Sequence, residues 1–340
     1  MEQPELVVVE GCVSRHAGDG NAGAATYADG VKLSPSAFRR IALVATCLLG
    51  FIIVTGAAVR LTGSGLGCPD WPNCEPGSLV PKGADNGHAM IEFVNRTITG
   101  LVSLAVIVCV LGSFFRDPRR RDLIWLSLGL VGGVIAQAVV GGLTVIFDLR
   151  PEFVMTHFIL SLVLLLDAVV LYKRAGEPHT KARLAVDRTV RDLGRAMFVM
   201  VCIVVFTGTI VTSTGPHGGD EEARRFGFDI SNVARIHGIA VVLFLALTLV
   251  TLWQIRRTQA SPAVVNRLGA VLLVACIQAA IGYIQYFNDI PALLVGLHIA
   301  GATALWVAVV WFYLGLFTRP AETPAVGDAP APGSTTLQPA

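Results

Sequence analysis

Eight runs of about 20 residues, each almost free of charge, decide what this chain can fold into. Away from water a segment of that length satisfies its own backbone only as a helix, and as a helix it crosses a hydrocarbon core roughly 30 Å thick. The runs lie at about 41–60, 90–114, 123–146, 153–172, 196–213, 233–254, 268–287 and 292–316. Composition agrees: 54% of the 340 residues are hydrophobic and 15% are charged. No basic stripe accompanies the formal net charge of +2, which sets nucleic-acid binding aside. Residues 1–35 are polar and Gly/Ala-rich, unlike a secretory signal. The expectation is a disordered cytoplasmic lead at 1–36. The Pro/Ala-rich end predicts a disordered tail at 318–340.

Lys and Arg set the orientation. Arg39 and Arg40 precede the first span, Arg116, Arg119, Arg120 and Arg121 follow the second, and Arg256, Arg257 and Arg267 follow the sixth. The fourth–fifth connection is richly basic, from Lys173 and Arg174 to Arg195, and Arg319 follows the last span. The alternate connections hold only scattered basic residues. The positive-inside rule therefore predicts both termini on the cytoplasmic side.

The halves resemble each other. VTGAAVRLTGSG from Val54 matches FTGTIVTSTGPHG from Phe206, aligning Thr55-Gly56 with Thr207-Gly208. Gln137 lies 20 residues before His157, and Gln278 lies 20 residues before His298. Each half has four spans, so both enter the membrane in the same sense. The predicted fold is an all-α integral membrane protein of eight transmembrane helices, built as two pseudo-twofold-related four-helix bundles. The halves are 37–174 and 196–317, joined by a cytoplasmic linker at 175–195.

Seven histidines are present. His16 and His179 fall in polar cytoplasmic segments, and His217 in an outer connection. His88, His157, His237 and His298 each lie near the start of an even-numbered span, at similar depth near the outer leaflet. Ionisable groups there are costly and usually functional. Imidazole is a common axial ligand of haem iron, and two facing helices can each supply one. His237 and His298 form the natural pair. In the first half His157 matches His298, but the counterpart of His237 falls near EFVNR, where Asn95 and Arg96 stand. His88, Glu92, Asn95 and Thr99 share one helix face.

Glu92 is thus a carboxylate beside the expected iron site, suited to proton transfer or to offsetting positive charge, with an ion pair to Arg96 as the ordinary alternative. Arg60 and Arg96 flank the outer boundary, where they can reach haem propionates or snorkel to headgroups. Cys68 and Cys74, spaced C-x5-C in the first outer connection, suit a disulfide in an oxidising compartment. Their Gly- and Pro-rich surroundings, LTGSGLGCPDWPNC, predict a structured cap over the first-half pocket.

With these motifs together, the sequence resembles the haem A synthase family over about residues 37–317. The resemblance rests on LTGSGLGCPDWPNC, EFVNR, TGPHGGD at 214–220, and His157, His237 and His298. It implies oxidation of the C8 methyl of haem O to the formyl group of haem A, for terminal oxidases. It further implies haem B held by His237 and His298 in the C-terminal half, and haem O as substrate in the N-terminal half. Glu92 maps onto the family's acidic residue, and Cys68 and Cys74 onto its outer cysteine pair. The family's helix-two motif is usually Glu-x-x-His-Arg, and Asn95 departs from it. His157 then holds the substrate iron alone, or His88 replaces the missing ligand.

The implied setting is a bacterial-type cytoplasmic membrane, with haem sites near the outer face. The implied partners are membrane lipid, haem O synthase and oxidase assembly factors, and a homo-oligomer is compatible. The oxygen comes from water or from an oxidant at the iron. The competing classes are a non-enzymatic b-type cytochrome or quinone-linked electron carrier, which gives Glu92 no special role, and a transporter or haem chaperone. No span is broken by Gly or Pro at matched positions, as the transporter class would suggest.

Overall fold

A computed structural model describes residues 32–82 and 87–321 of the chain. Among them, eight long helices account for the eight apolar runs: α1 (Pro35–Leu61), α2 (Gly87–Phe115), α3 (Arg121–Ile146), α4 (Pro151–Ala175), α5 (Arg188–Thr214), α6 (Ile230–Arg257), α7 (Pro262–Phe287) and α8 (Ala292–Leu314). The shortest has 23 residues and the longest 29. At about 1.5 Å per residue each outreaches the hydrocarbon core. All eight are long and apolar enough to cross a membrane, and the protein is an all-α integral membrane protein.

Local chemistry sets the helix starts. Ser34 caps α1 by accepting the Ala37 N–H at 3.2 Å, and Pro35 occupies the first turn, where a missing N–H costs nothing. Asp187 caps α5 through the Thr189 N–H, and Asp229 caps α6 through the Asn232 N–H. At Asp229, hydrogen bonds from the Ser231 hydroxyl and the Asn232 amide hold the carboxyl below the usual carboxylate range. The turns after α3 and α7 are alike. Asp148 and Leu149, then Asp289 and Ile290, adopt left-handed backbone angles, with φ between 50° and 58°. The Leu149 and Ile290 N–H groups reach back to the carbonyls of Thr144 and Gln285, which closes each helix end.

Helices α1–α4 close a ring in which α1 packs on α2 and α4, and α3 on α2 and α4; α5–α8 close a second ring in the same way. Between the rings α1 meets α8, α4 meets α5, and α4 meets α8. Exchanging α1–α4 for α5–α8 leaves this set of contacts unchanged. The core runs through both rings and includes Phe38, Phe244 and Phe312, none more than 1% exposed. Trp306 of α8 reaches across to donate its indole N–H to the Leu162 carbonyl of α4 at 2.9 Å. Large apolar side chains on the outer faces are exposed, Trp125 by 70% and Leu293 by 75%, as lipid contact requires.

The helices overrun the boundaries expected from hydropathy. α1 starts at Pro35, inside the expected lead, α5 starts at Arg188, inside the expected linker, and α7 starts at Pro262 rather than near 268. The cause is physical: helices continue into the polar interface, where charged residues lower the hydropathy without breaking the backbone hydrogen bonds. Within the linker, Arg183–Leu184 (β1) pairs antiparallel with Phe317–Thr318 (β2). Arg319 donates to the Thr180 carbonyl, so the expected disordered tail begins with ordered residues. Residues 1–31 and 322–340, which hold most of the expected lead and tail, lie outside the described residues.

Candidate haem sites

His237 stands two turns into α6 and His298 two turns into α8. Their ring centroids are 6.4 Å apart and their planes are 82° from parallel. Two imidazoles sharing one metal have centroids roughly 6 Å apart, because each metal–nitrogen bond is about 2 Å. The spacing of the pair matches that of two imidazoles on one metal.

The tautomer fits as well. The Thr207 hydroxyl lies 2.9 Å from the Ile203 carbonyl, 3.0 Å from the Val204 carbonyl and 3.1 Å from His237 Nδ1; with its single proton shared by the carbonyls, it accepts from an Nδ1–H. Nε2 of His237 then carries the lone pair a metal needs. His298 Nδ1 is buried without a partner among the described residues. Both rings lie on glycines. A methyl built on Gly208 would sit 3.1 Å from Cε1 of His237, and one on Gly282 would sit 3.2 Å from Cε1 of His298.

Thr207→Val keeps the shape of this side chain and removes the partner that orients His237. Affinity of the His237–His298 pair for added haem is expected to fall about tenfold, the usual effect of losing a group that orients a ligand. Haem titration of the purified protein checks this.

The first half repeats part of the arrangement. His157 lies against Gly141 with the same 3.2 Å spacing, and its Nδ1 is also buried and unpartnered. Gln137 donates to the His157 carbonyl (3.2 Å) and to Ser161 Oγ (2.6 Å). Where His237 meets Thr207, Asn95 meets Thr55, whose hydroxyl donates to Asn95 Oδ1 at 2.8 Å. Asn95 therefore stands where His237 stands in the second half, with the equivalent threonine as its partner. A methyl on Gly56 would touch nothing within 4 Å, so the room an imidazole fills over Gly208 is open here.

The remaining expected residues are held by the outer connections. Glu92 is buried, and its carboxylate is fully engaged. Oε2 accepts the Cys68 N–H at 2.8 Å, and Oε1 accepts from Arg96 Nε at 3.1 Å and Nη2 at 2.6 Å. Arg96 also donates to the carbonyls of Cys68 and Asn73. Cys68 and Cys74 are joined as a disulfide, and Trp71 between them lies on Gly142 of α3. Glu92 and Arg96 thus fasten a cap loop over α2 and α3.

Arg60 donates to the His217 carbonyl at 2.8 Å and to the Thr212 carbonyl at 2.9 Å. His217 in turn shares a 2.8 Å hydrogen bond with the Ile290 carbonyl. Arg60 and His217 therefore link the two halves at one end of the bundles. His88 is exposed at the start of α2 and meets Ser64 Oγ at 3.0 Å. It stands about 10 Å along the helix from Asn95.

Reasoning from sequence missed Thr55 and Thr207, the three glycines under the histidine rings, and the bridging part of His217. The signal for the first was present in the repeated Thr-Gly pairs; the bridge depends on contacts between distant segments.

The sequence profile of the COX15-CtaA family, cytochrome oxidase assembly protein, matches residues 39–216. A protein of Lysinibacillus sphaericus (strain C3-41) named Heme A synthase is 31% identical over 179 residues, 51% of this chain and 57% of the relative. One of Exiguobacterium sibiricum with the same name is 30% identical over 176 residues, 50% and 57% of the two chains. Against these the chain spans little more than half the length of the relative. Against the Heme A synthase of Shouchella clausii (strain KSM-K16) the match is longer, 24% identity over 301 residues, 83% of this chain and 97% of the relative.

Proposed function

The chain belongs to the COX15-CtaA family of cytochrome oxidase assembly proteins, and from that membership we propose that it is a haem A synthase, oxidising the C8 methyl of haem O to a formyl group. The observation that carries the reading is the unequal pair of sites. One half presents two imidazoles at the spacing of a doubly held iron, and the other presents one imidazole opposite Asn95. A haem that relays electrons suits the first arrangement. A haem that enters, reacts and leaves suits the second, where it is held less firmly.

His237 and His298 would hold haem b, with Thr207 fixing the first ring. A haem b held there would supply one-electron transfer from the reacting half. His157, set on Gly141 and steadied through Gln137, orients the iron of the substrate haem. Asn95 accepts from Thr55 and leaves room on its side. Glu92 lies one helical turn from Asn95. It takes protons from the carbon being oxidised, or offsets positive charge that develops there. Arg96 and the Cys68 N–H fix the carboxylate, and the cap loop with Trp71 keeps water from the pocket. Arg60 acts here as a bridge between the halves, its Nε and Nη2 already engaged by carbonyls. His88 supports the cap through Ser64. In this reading both termini are cytoplasmic and the haem sites lie toward the outer face, which agrees with the basic connections. A haem O synthase supplies the substrate, and oxidase assembly consumes the product.

Uptake of added haem O tests the two-site reading. His157→Ala is expected to abolish binding of added haem O, with the haem b spectrum of the second half unchanged. Equal loss from both sites would contradict it.

A further inference from the structure

The two halves differ chemically along one seam. The face of α3 that packs on α4 carries Asp122, Gly129, Gly133, Gln137 and Gly141, spaced for one side of a helix. Asp122 pairs with Arg174 of α4 at 3.4 Å. Two turns further along, a methyl on Gly129 would lie 2.6 Å from Asp167 Oδ2, so the carboxylate is seated on that glycine. Leu164 packs on Gly133 in the same way, and beyond it Gln137 and Ser161 lead to His157.

The offset that carries Gln137 onto Gln278 and His157 onto His298 carries Asp122 onto Ala263, Ser161 onto Ala302, Asp167 onto Ala308 and Arg174 onto Gly315. The second half keeps the glutamine, the histidine and the glycine beneath it. It replaces each of these four polar residues with alanine or glycine, and at the far end Arg267 of α7 covers Gly315. A four-helix ring of this kind therefore packs without them. Asp167 has no hydrogen-bond or ion-pair partner among the described residues. It stands about 15 Å along α4 from His157 and about 12 Å from the helix end. An ionisable side chain so placed is costly, and such residues mark ion pathways and proton relays.

We infer that the α3–α4 seam is a proton path between the first-half site and the Asp122 end, with Asp167 as its relay. The inference rests on the first half being the site of methyl oxidation, a reaction that moves protons as well as electrons. Asp167 binds a proton as the neutral acid and releases it as the carboxylate. At the surface end, His179 beside Asp122 exchanges it with water, and Asp122 is held ionised by Arg120 and Arg174. Leu164 on Gly133 is the apolar step between Asp167 and Ser161, and about 10 Å of apolar seam separates Asp167 from Asp122, so the proton crosses both on transient water.

The test uses the haem-loaded protein in lipid nanodiscs, comparing Asp167→Asn, Asp167→Glu and Asp167→Ala, the last carrying the residue the second half tolerates. In wild type, the reduced-minus-oxidised infrared spectrum should contain a protonated-carboxyl band that shifts in Asp167→Glu and vanishes in Asp167→Asn and Asp167→Ala. Conversion of supplied haem O should slow about tenfold or more in the last two variants and recover in Asp167→Glu, with haem b content unchanged. If Asp167→Asn fails to load haem, Asp167→Ala decides. A slower rate with the band intact, or without recovery in Asp167→Glu, makes Asp167 a packing residue and overturns the path. Unchanged rate and spectrum overturn it too. If wild type converts no haem O yet shows an Asp167-dependent band, the proposed reaction falls and only redox-linked proton binding at Asp167 stands.

Discussion

Replacing His298 with alanine is expected to remove the low-spin haem b spectrum and to lower haem b affinity by more than about 100-fold. Loss of a group that merely orients a ligand costs about 10–100-fold, and here the ligand itself is lost. His237 would remain oriented by Thr207 but would lack an opposite partner at the 6.4 Å spacing. The fold should survive. The ring touches Gly282, and its Nδ1 has no hydrogen bond to lose, so the bundle forfeits packing but no polar contact of that atom. Reduced-minus-oxidised visible spectra of detergent-purified protein check this. An unchanged spectrum would remove His298 from the iron.

Glu92→Gln has the second large expected effect. Haem A formation should fall about 100-fold or more, the scale of a lost proton-transfer group, while haem binding stays complete. The substitution also breaks the ion pair with Arg96, at a cost of up to about 3 kcal/mol. Arg96→Gln breaks the same pair from the other side and leaves the carboxylate in place. If Glu92 serves the chemistry, Glu92→Gln loses far more conversion than Arg96→Gln at similar loss of thermal stability. Equal losses would reduce Glu92 to a fastener of the cap, and full activity in Glu92→Gln would refute the role outright. Chromatography of product haem, with thermal denaturation of both variants, separates these results.

The eight spans were legible because hydropathy and the cost of an unpaired backbone in lipid leave no other structure. Their ends were not, since Pro35, Arg188 and Pro262 begin helices in the interface, where polarity no longer reports on fold. The place of Asn95 was legible through the repeat, and Thr55 beside it bears the same relation as Thr207 to His237. The Glu92–Arg96 pair follows from four-residue spacing, but the Cys68 N–H on the same carboxylate requires a loop to fold back over α2. Arg60 was expected at propionates or headgroups; its bonds to Thr212 and His217 arise only when α1 and α5 meet, which no local pattern encodes. Asp167 was hidden because one carboxylate barely lowers the mean hydropathy of its span.

Pigment extraction tests the central claim most directly. The chain would be expressed in a membrane host that makes haem O but no haem A, and the acid-acetone extract separated by chromatography. Haem A, or its hydroxymethyl precursor, is the expected result. Haem b alone beside abundant unconverted haem O would contradict it, favouring an electron carrier and pointing first to Asn95.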